Sequence, residues 1–252
     1  MAMIEMAVGQ LRLTQDQARL AVAGYAFGSC TIHPKKAFDG AFQADRVPRW
    51  GYQTFDCVPA SAGEEFNVAD VLVASGLNGR LDVRAIAVLH SAANRAAGPL
   101  ATAERLQPSF ADMSSAELSD HPPDSSAGEA LSRAWQQMMA TRRVGTALTH
   151  KVLHHKRPAL FPLLDRHTAT ALHERPNERN SWQQINAELN DNRTEFEALR
   201  SWFEGHAKQR GTAALSLPRL HDILLWLYAM EQLADAMNAG EGELGDDQPN
   251  QV

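Results

Sequence analysis

The chain has 252 residues, 44% hydrophobic and 21% charged, which is ordinary for a globular protein long enough to bury a real core. Its formal charge is −6, and four of its 30 acids (Glu241, Glu243, Asp246, Asp247) lie at the C-terminal end, leaving 26 acidic against 24 basic residues in the body. That balance excludes a generic polyanion binder, so any nucleic-acid affinity must come from a local patch.

Cys30 and Cys57 are the only cysteines, too few for a Cys-only zinc or iron–sulfur site. The first residues lack a basic segment followed by an apolar core, and no apolar run reaches the ~18–20 residues that span a bilayer. The expectation is a reduced, cytoplasmic protein with no membrane segment, no cofactor and no metal.

In chain order, Thr14 and Gln17 form a capping-box pattern that predicts a helix starting at Thr14. From Phe27 to Glu65 the chain is irregular, broken by Gly28, Pro34, Gly40, Pro48, Gly51, Pro59 and Gly63, with a short strand over Tyr52–Val58. Six aromatics punctuate this segment: Phe27, Phe38, Phe42, Trp50, Tyr52 and Phe55. We read them as anchors to the core, with pocket lining as the alternative. Asn67 opens a helix to Leu77, stopped by Asn78-Gly79. A second runs from Asp82 to about Ala96, stopped by Gly98-Pro99, with His90 as a hydrogen-bonded core residue. Residues 119–128, SDHPPDSSAG, are a linker and a soft boundary.

Beyond Gly128 the pattern is helical: Ala130–Thr141, Gly145–His155, Asp165–Glu174, a helix opening at Ser181, Thr194–Lys208, and Ser216–Met237. The last carries the broadest apolar stripe and Pro218 in its first turn, which marks it as the central buried helix. The fold class is mainly α: a compact multi-helix domain with an irregular segment at 27–65. Its parts are residues 1–118, residues 129–239 and a disordered acidic tail at 240–252, with the helical parts forming one cooperative domain.

The chemistry concentrates in residues 141–172, TRRVGTALTHKVLHHKRPALFPLLDRHTATAL. No acid occurs between Glu129 and Asp165, while Arg133, Arg142, Arg143, Lys151, Lys156 and Arg157 fall in that interval. Gly145 precedes a helix whose first turn begins at Thr146, an end that suits an anion. Pro162 keeps Phe161 extended and delivers Asp165 to a helix start, where its carboxylate is held by amides and can stabilise a sugar cation or orient a water. The plainer reading of Asp165 is an N-cap, and the two roles are compatible. His150 and His154 are four apart, a spacing used for zinc, yet no Glu accompanies them. We read them as solvated or phosphate-facing imidazoles.

The spacing resembles the helix-hairpin-helix DNA glycosylase superfamily, whose hairpin Val-Gly aligns with Val144-Gly145 and whose Val-Asp-Thr-His aligns with Leu164-Asp165-Arg166-His167. The resemblance implies a catalytic Asp165 and phosphate binding around Gly145. Arg143 replaces the hairpin's first glycine, and Ala147 stands where bifunctional members carry a lysine, so the implied activity is monofunctional. A second resemblance spans roughly residues 50–230. There FNVADVLVASGLN, VGTALTHKVLHHKRPALFPLLD and SLPRLHDILLWLYAM are similar to a bacterial family of unknown function, which implies a helical fold and no activity.

Two functions follow as expectations. One is a DNA-binding, monofunctional N-glycosylase with Asp165 as catalytic carboxylate, RNA being the alternative substrate. Its phosphate contacts would be Arg142, Arg143, Gly145, Thr146, Lys151, His154, Lys156, Arg157 and His167. The other is a non-catalytic helical module that uses the 142–157 basic patch for phosphates or an acidic partner.

Overall fold

The structure, a computed structural model, describes residues 3–32, 45–77, 81–142, 144–172 and 178–245. The predicted Thr14 cap forms: its side chain accepts from the Gln17 amide, Gln17 returns the bond, and helix α1 runs Gln15–Phe27. Ahead of it stands an antiparallel hairpin that the sequence did not announce. Its strands β1 (Met3–Met6) and β2 (Leu11–Thr14) pair Met3 with Thr14 and Met6 with Leu11. A second small hairpin pairs β3 (Ser29–Ile32) with β4 (Asp45–Pro48), and the remainder of the described chain is helix and loop.

The strand expected at Tyr52–Val58 is instead a π-helical turn over Tyr52–Asp56. Tyr52 and Phe55 are both buried, and a spacing of three would send them to opposite faces of a strand. The Tyr52 hydroxyl donates to the Ala213 carbonyl, which fixes this turn against the far end of the chain. Next comes α2 (Val68–Leu72), capped by Asn67 and tightened into a 3₁₀ turn through Leu77. Asn78 and Gly79, its predicted stop, lie outside the described residues.

Helix α3 (Val83–Leu106) runs straight past Gly98-Pro99, where a stop was expected. A proline inside a helix costs about 3 kcal/mol. Burial outweighs that here, because the stripe of Ala92, Ala93, Ala96, Leu100 and Ala103 continues across the proline and packs on α4 (Ala127–Met139). His90 is half-buried, with its Nε2 2.9 Å from the Phe66 carbonyl.

The remaining helices are α5 (Thr146–Lys156), α6 (Arg166–Ala171), α7 (Glu178–Asp191), α8 (Arg193–Gln209), α9 (Leu217–Ala229) and α10 (Leu233–Gly245). Helix α9 is the buried centre, as predicted, with Leu220, Ile223, Leu224 and Leu227 fully enclosed. It does not run on to Met237. Glu231, at φ 56°, turns the chain back, and α10 crosses α1 so closely that only glycine fits at the contact. A Cβ on Gly24 would strike the Ala236 carbonyl, and one on Gly240 the Leu20 carbonyl. The segment from 240 is thus ordered helix as far as Gly245, held also by Arg210–Glu243 at 3.0 Å. Residues 246–252 lie outside the described residues. One hydrophobic core runs from Ile4 in β1 to Ala236 in α10.

Candidate active site

Helix α5 is the axis of the site. Its N-cap is Gly145, extended and exposed, with open space where a Cβ would stand. Arg142 is exposed just upstream, Thr146 is half-buried, and Arg143 lies outside the described residues.

The two histidines expected at a phosphate surface are instead fully buried. His150 Nδ1 lies 2.8 Å from the Pro162 carbonyl and His154 Nδ1 lies 2.6 Å from the Phe161 carbonyl. Burial pushes His150 down to about 4. Burial and the positive charge of Arg219 push His154 to about 3. Near neutral pH both rings are uncharged, so each Nδ1–H donates to its carbonyl. The pair straps the apolar Phe161–Leu164 run along α5, and that strap delivers Asp165.

Lys156 is likewise internal. Its ammonium donates to the Ser61 carbonyl at 2.9 Å, the Ser61 hydroxyl at 2.7 Å and the Glu65 carbonyl at 2.6 Å, with Asp70 at 3.4 Å. Arg157 is half-buried and paired with Glu104 at 2.6 Å. Lys156 is therefore a staple between α5 and the 61–70 segment, and the run His154–Arg157 is taken up by internal contacts rather than forming a positive surface. Net charge along a helix says nothing about which way its side chains face, and here two covering loops close over them.

Asp165 is the N-cap of α6. Its Oδ1 accepts from the His167 amide at 2.8 Å and the Thr168 amide at 3.0 Å, and Thr168 Oγ1 closes a capping box by accepting from the Asp165 amide. Its Oδ2 has no protein partner among the described residues. Arg166 and His167 follow in the first turn, both exposed.

Asp165 also lines a cavity of about 560 Å³. The other walls come from distant parts of the chain: Tyr25 of α1, Trp50, Leu77, Lys151 of α5, and Arg219, Asp222 and Trp226 of α9. Lys151, half-buried, donates from Nζ to the Leu77 carbonyl. Burial lowers its pKa, with the charges of Asp165 and Asp222 pulling the other way. Arg219 is clamped by both oxygens of Asp56, at 2.7 and 2.9 Å, and by the Tyr25 hydroxyl at 2.6 Å. Its remaining arm donates to Asp222 Oδ2. Burial raises Asp222 to about 6; Arg219 opposes the rise and the negative charge of Asp165 adds to it. Trp50 is anchored by its Nε1 on Gln232 Oε1 at 2.7 Å.

Arg219, Asp222, Trp226 and Tyr25 went unnoticed in the sequence. A signal was present: an Arg and an Asp three apart on the most apolar helix must be buried together, and buried charges mark sites. Among the described residues, no group of three or more His, Cys, Asp or Glu side chains is placed to hold a metal ion. No described helix is long and apolar enough to cross a membrane.

No curated protein and no solved structure matches the chain. Residues 36–229, which hold most of the cavity wall and the whole α5–α6 strap, match a family model, and the chain belongs to that family of unknown function, DUF6308.

Proposed function

We propose that the protein hydrolyses an N-glycosidic bond in nucleic acid, taking a single flipped base into the cavity beside Asp165. One observation carries this reading: a helix-capping carboxylate with one oxygen anchored and one without a partner stands on the wall of a cavity of about 560 Å³. That volume falls within the usual range of about 300–1,000 Å³ for ligand pockets.

The expected chemistry assigns each wall a task. Trp226 lines the cavity and a base can stack on it, while Trp50, itself stacked on Tyr25 with Arg49 over its ring, adds apolar wall. Asp165 is held rigidly by two amides, so its free oxygen can stabilise positive charge growing on the sugar as the base departs. The buried histidines set the position of that carboxylate without contacting substrate. Arg142, Arg166 and His167, all exposed on the flanks of the motif, are the side chains left to meet phosphates. His154 and Lys156 drop out of the phosphate-binding set, and Arg157 keeps only a minor share. Much of the basic patch on which a non-catalytic module would rely thereby turns inward.

The test uses the full chain with oligonucleotides that carry one uracil, hypoxanthine or 7-methylguanine, read as abasic sites after alkaline cleavage. Base release from at least one probe is expected, and Asp165→Asn should lower it at least 100-fold. Because Asn caps a helix about as well as Asp, the variant should keep its melting temperature within about 3 °C. Binding without release, unchanged in Asp165→Asn, would favour the non-catalytic module. Absence of binding at low salt would reject both.

A further inference from the structure

The cavity holds a second carboxylate, and its placement mirrors that of the first. Asp165 is anchored through Oδ1 on the α6 amides. Asp222 is anchored through Oδ2 on Arg219. Each keeps its other oxygen without a protein partner among the described residues, and both side chains line the same space. The anchors differ in kind. Asp165 rests on neutral backbone donors at a helix start, whereas Asp222 is buried in the flank of α9 beside a guanidinium already engaged by Asp56 and Tyr25.

Resting on the reading above, we infer that Asp222 is the general acid of the site: it protonates the departing base, while Asp165 stabilises the sugar. The C1′–N bond breaks, its electron pair stays on the base nitrogen, and the proton of the Asp222 carboxyl neutralises that nitrogen. Water then adds to C1′, and the proton it loses returns to Asp222. Two carboxylates in different surroundings, one ionised and one protonated, are a general solution for glycosidic bonds.

The electrostatics fit this division of labour. Burial raises Asp222 to about 6, against Arg219 and His221 and with Asp165. Asp56 lies on the far side of Arg219, Tyr25 shares that guanidinium, and Lys151 faces Asp222 from α5. A carboxyl in this range carries its proton at mildly acidic pH and can part with it near neutrality.

The experiment compares leaving groups on the full chain. A neutral base such as hypoxanthine needs a proton to depart, whereas 7-methylguanine is already cationic while attached to the sugar, departs as a neutral base and needs none. Asp222→Asn should therefore slow hypoxanthine release at least 30 times more than 7-methylguanine release, while Asp165→Asn slows both alike. In the wild type, hypoxanthine release should fall about tenfold per pH unit above about 6, with no parallel fall for 7-methylguanine. The wild-type profile keeps the test alive where Asp222→Asn folds poorly. Equal losses on both probes in Asp222→Asn, or parallel wild-type pH profiles, overturn the acid role and leave the glycosidic reading standing. A wild type that releases no base from any probe overturns both.

Discussion

Replacing Lys156 with Met separates an internal staple from a surface cation. The ammonium is enclosed and makes three hydrogen bonds to the Ser61 and Glu65 region, with Asp70, itself 1% exposed, at 3.4 Å. Methionine keeps most of the aliphatic stem, so the loss is confined to those polar contacts. Asp70 retains donors from the Ser61 and Asn67 amides at 2.7 and 2.9 Å, which softens the penalty. Two carbonyls nonetheless lose their charged partner and a buried carboxylate loses its counter-charge. Breaking a buried pair from one side costs about 3–5 kcal/mol, which for a chain of this size lowers Tm by about 6–20 °C. The assay is thermal unfolding followed by circular dichroism, with a urea titration at pH 7. A solvated lysine would cost under about 0.5 kcal/mol. A Tm drop below about 2 °C would refute the argument that this basic run holds the fold together.

The histidine strap predicts an acid limb. The folded-state pKa values of His150 and His154, about 4 and about 3, lie below the unfolded value of about 6.5. The unfolded chain therefore binds more protons between these limits, so the contribution is full above pH 6.5 and is lost as pH falls. Urea titrations should give a stability roughly 2–4 kcal/mol lower at pH 5 than at pH 7; equal values would contradict neutral, buried rings. At the α1–α10 crossing, Gly240→Leu should destabilise by about 1–3 kcal/mol or more through collision with the Leu20 backbone. Gly242→Ala, with open space at its Cβ, should be neutral or stabilising by up to about 1 kcal/mol. The same direction in both variants would contradict the close crossing.

The elements legible in the sequence are those whose signals are local. The caps at Thr14 and Asn67, the proline in the first turn of α9 and the aspartate at the head of α6 all act within a few residues of themselves, and each is where its pattern puts it. The N-terminal hairpin could not be read that way. Its turn passes through Ala7 and Val8 at positive φ, against local preference, and its backbone is tied to Glu188 on α7 and to Asn192, the residue that caps α8: the Glu5 amide to Asn192 at 2.7 Å, the Val8 amide to Glu188 at 3.4 Å. Those partners lie some 180 residues away. Pro99 misleads for the same reason, since the burial that carries α3 through it belongs to α4. The candidate site divides along this line too. Asp165 and its glycine-to-aspartate spacing are local, while Asp222, Trp50 and Tyr25 meet it only after the chain has folded.

The glycine-to-glycine crossing of α1 and α10 has a consequence for how the protein comes into being. Helix α1 presents a face of small residues (Ala21, Gly24) that suits one partner, and that partner is the last described helix. On a ribosome adding about 5–20 residues per second, roughly two hundred residues separate the two, a wait on the order of 10–40 s. During that interval the α1 face has nothing to close on. The closest contact of α1 therefore forms only after nearly the whole chain has been made.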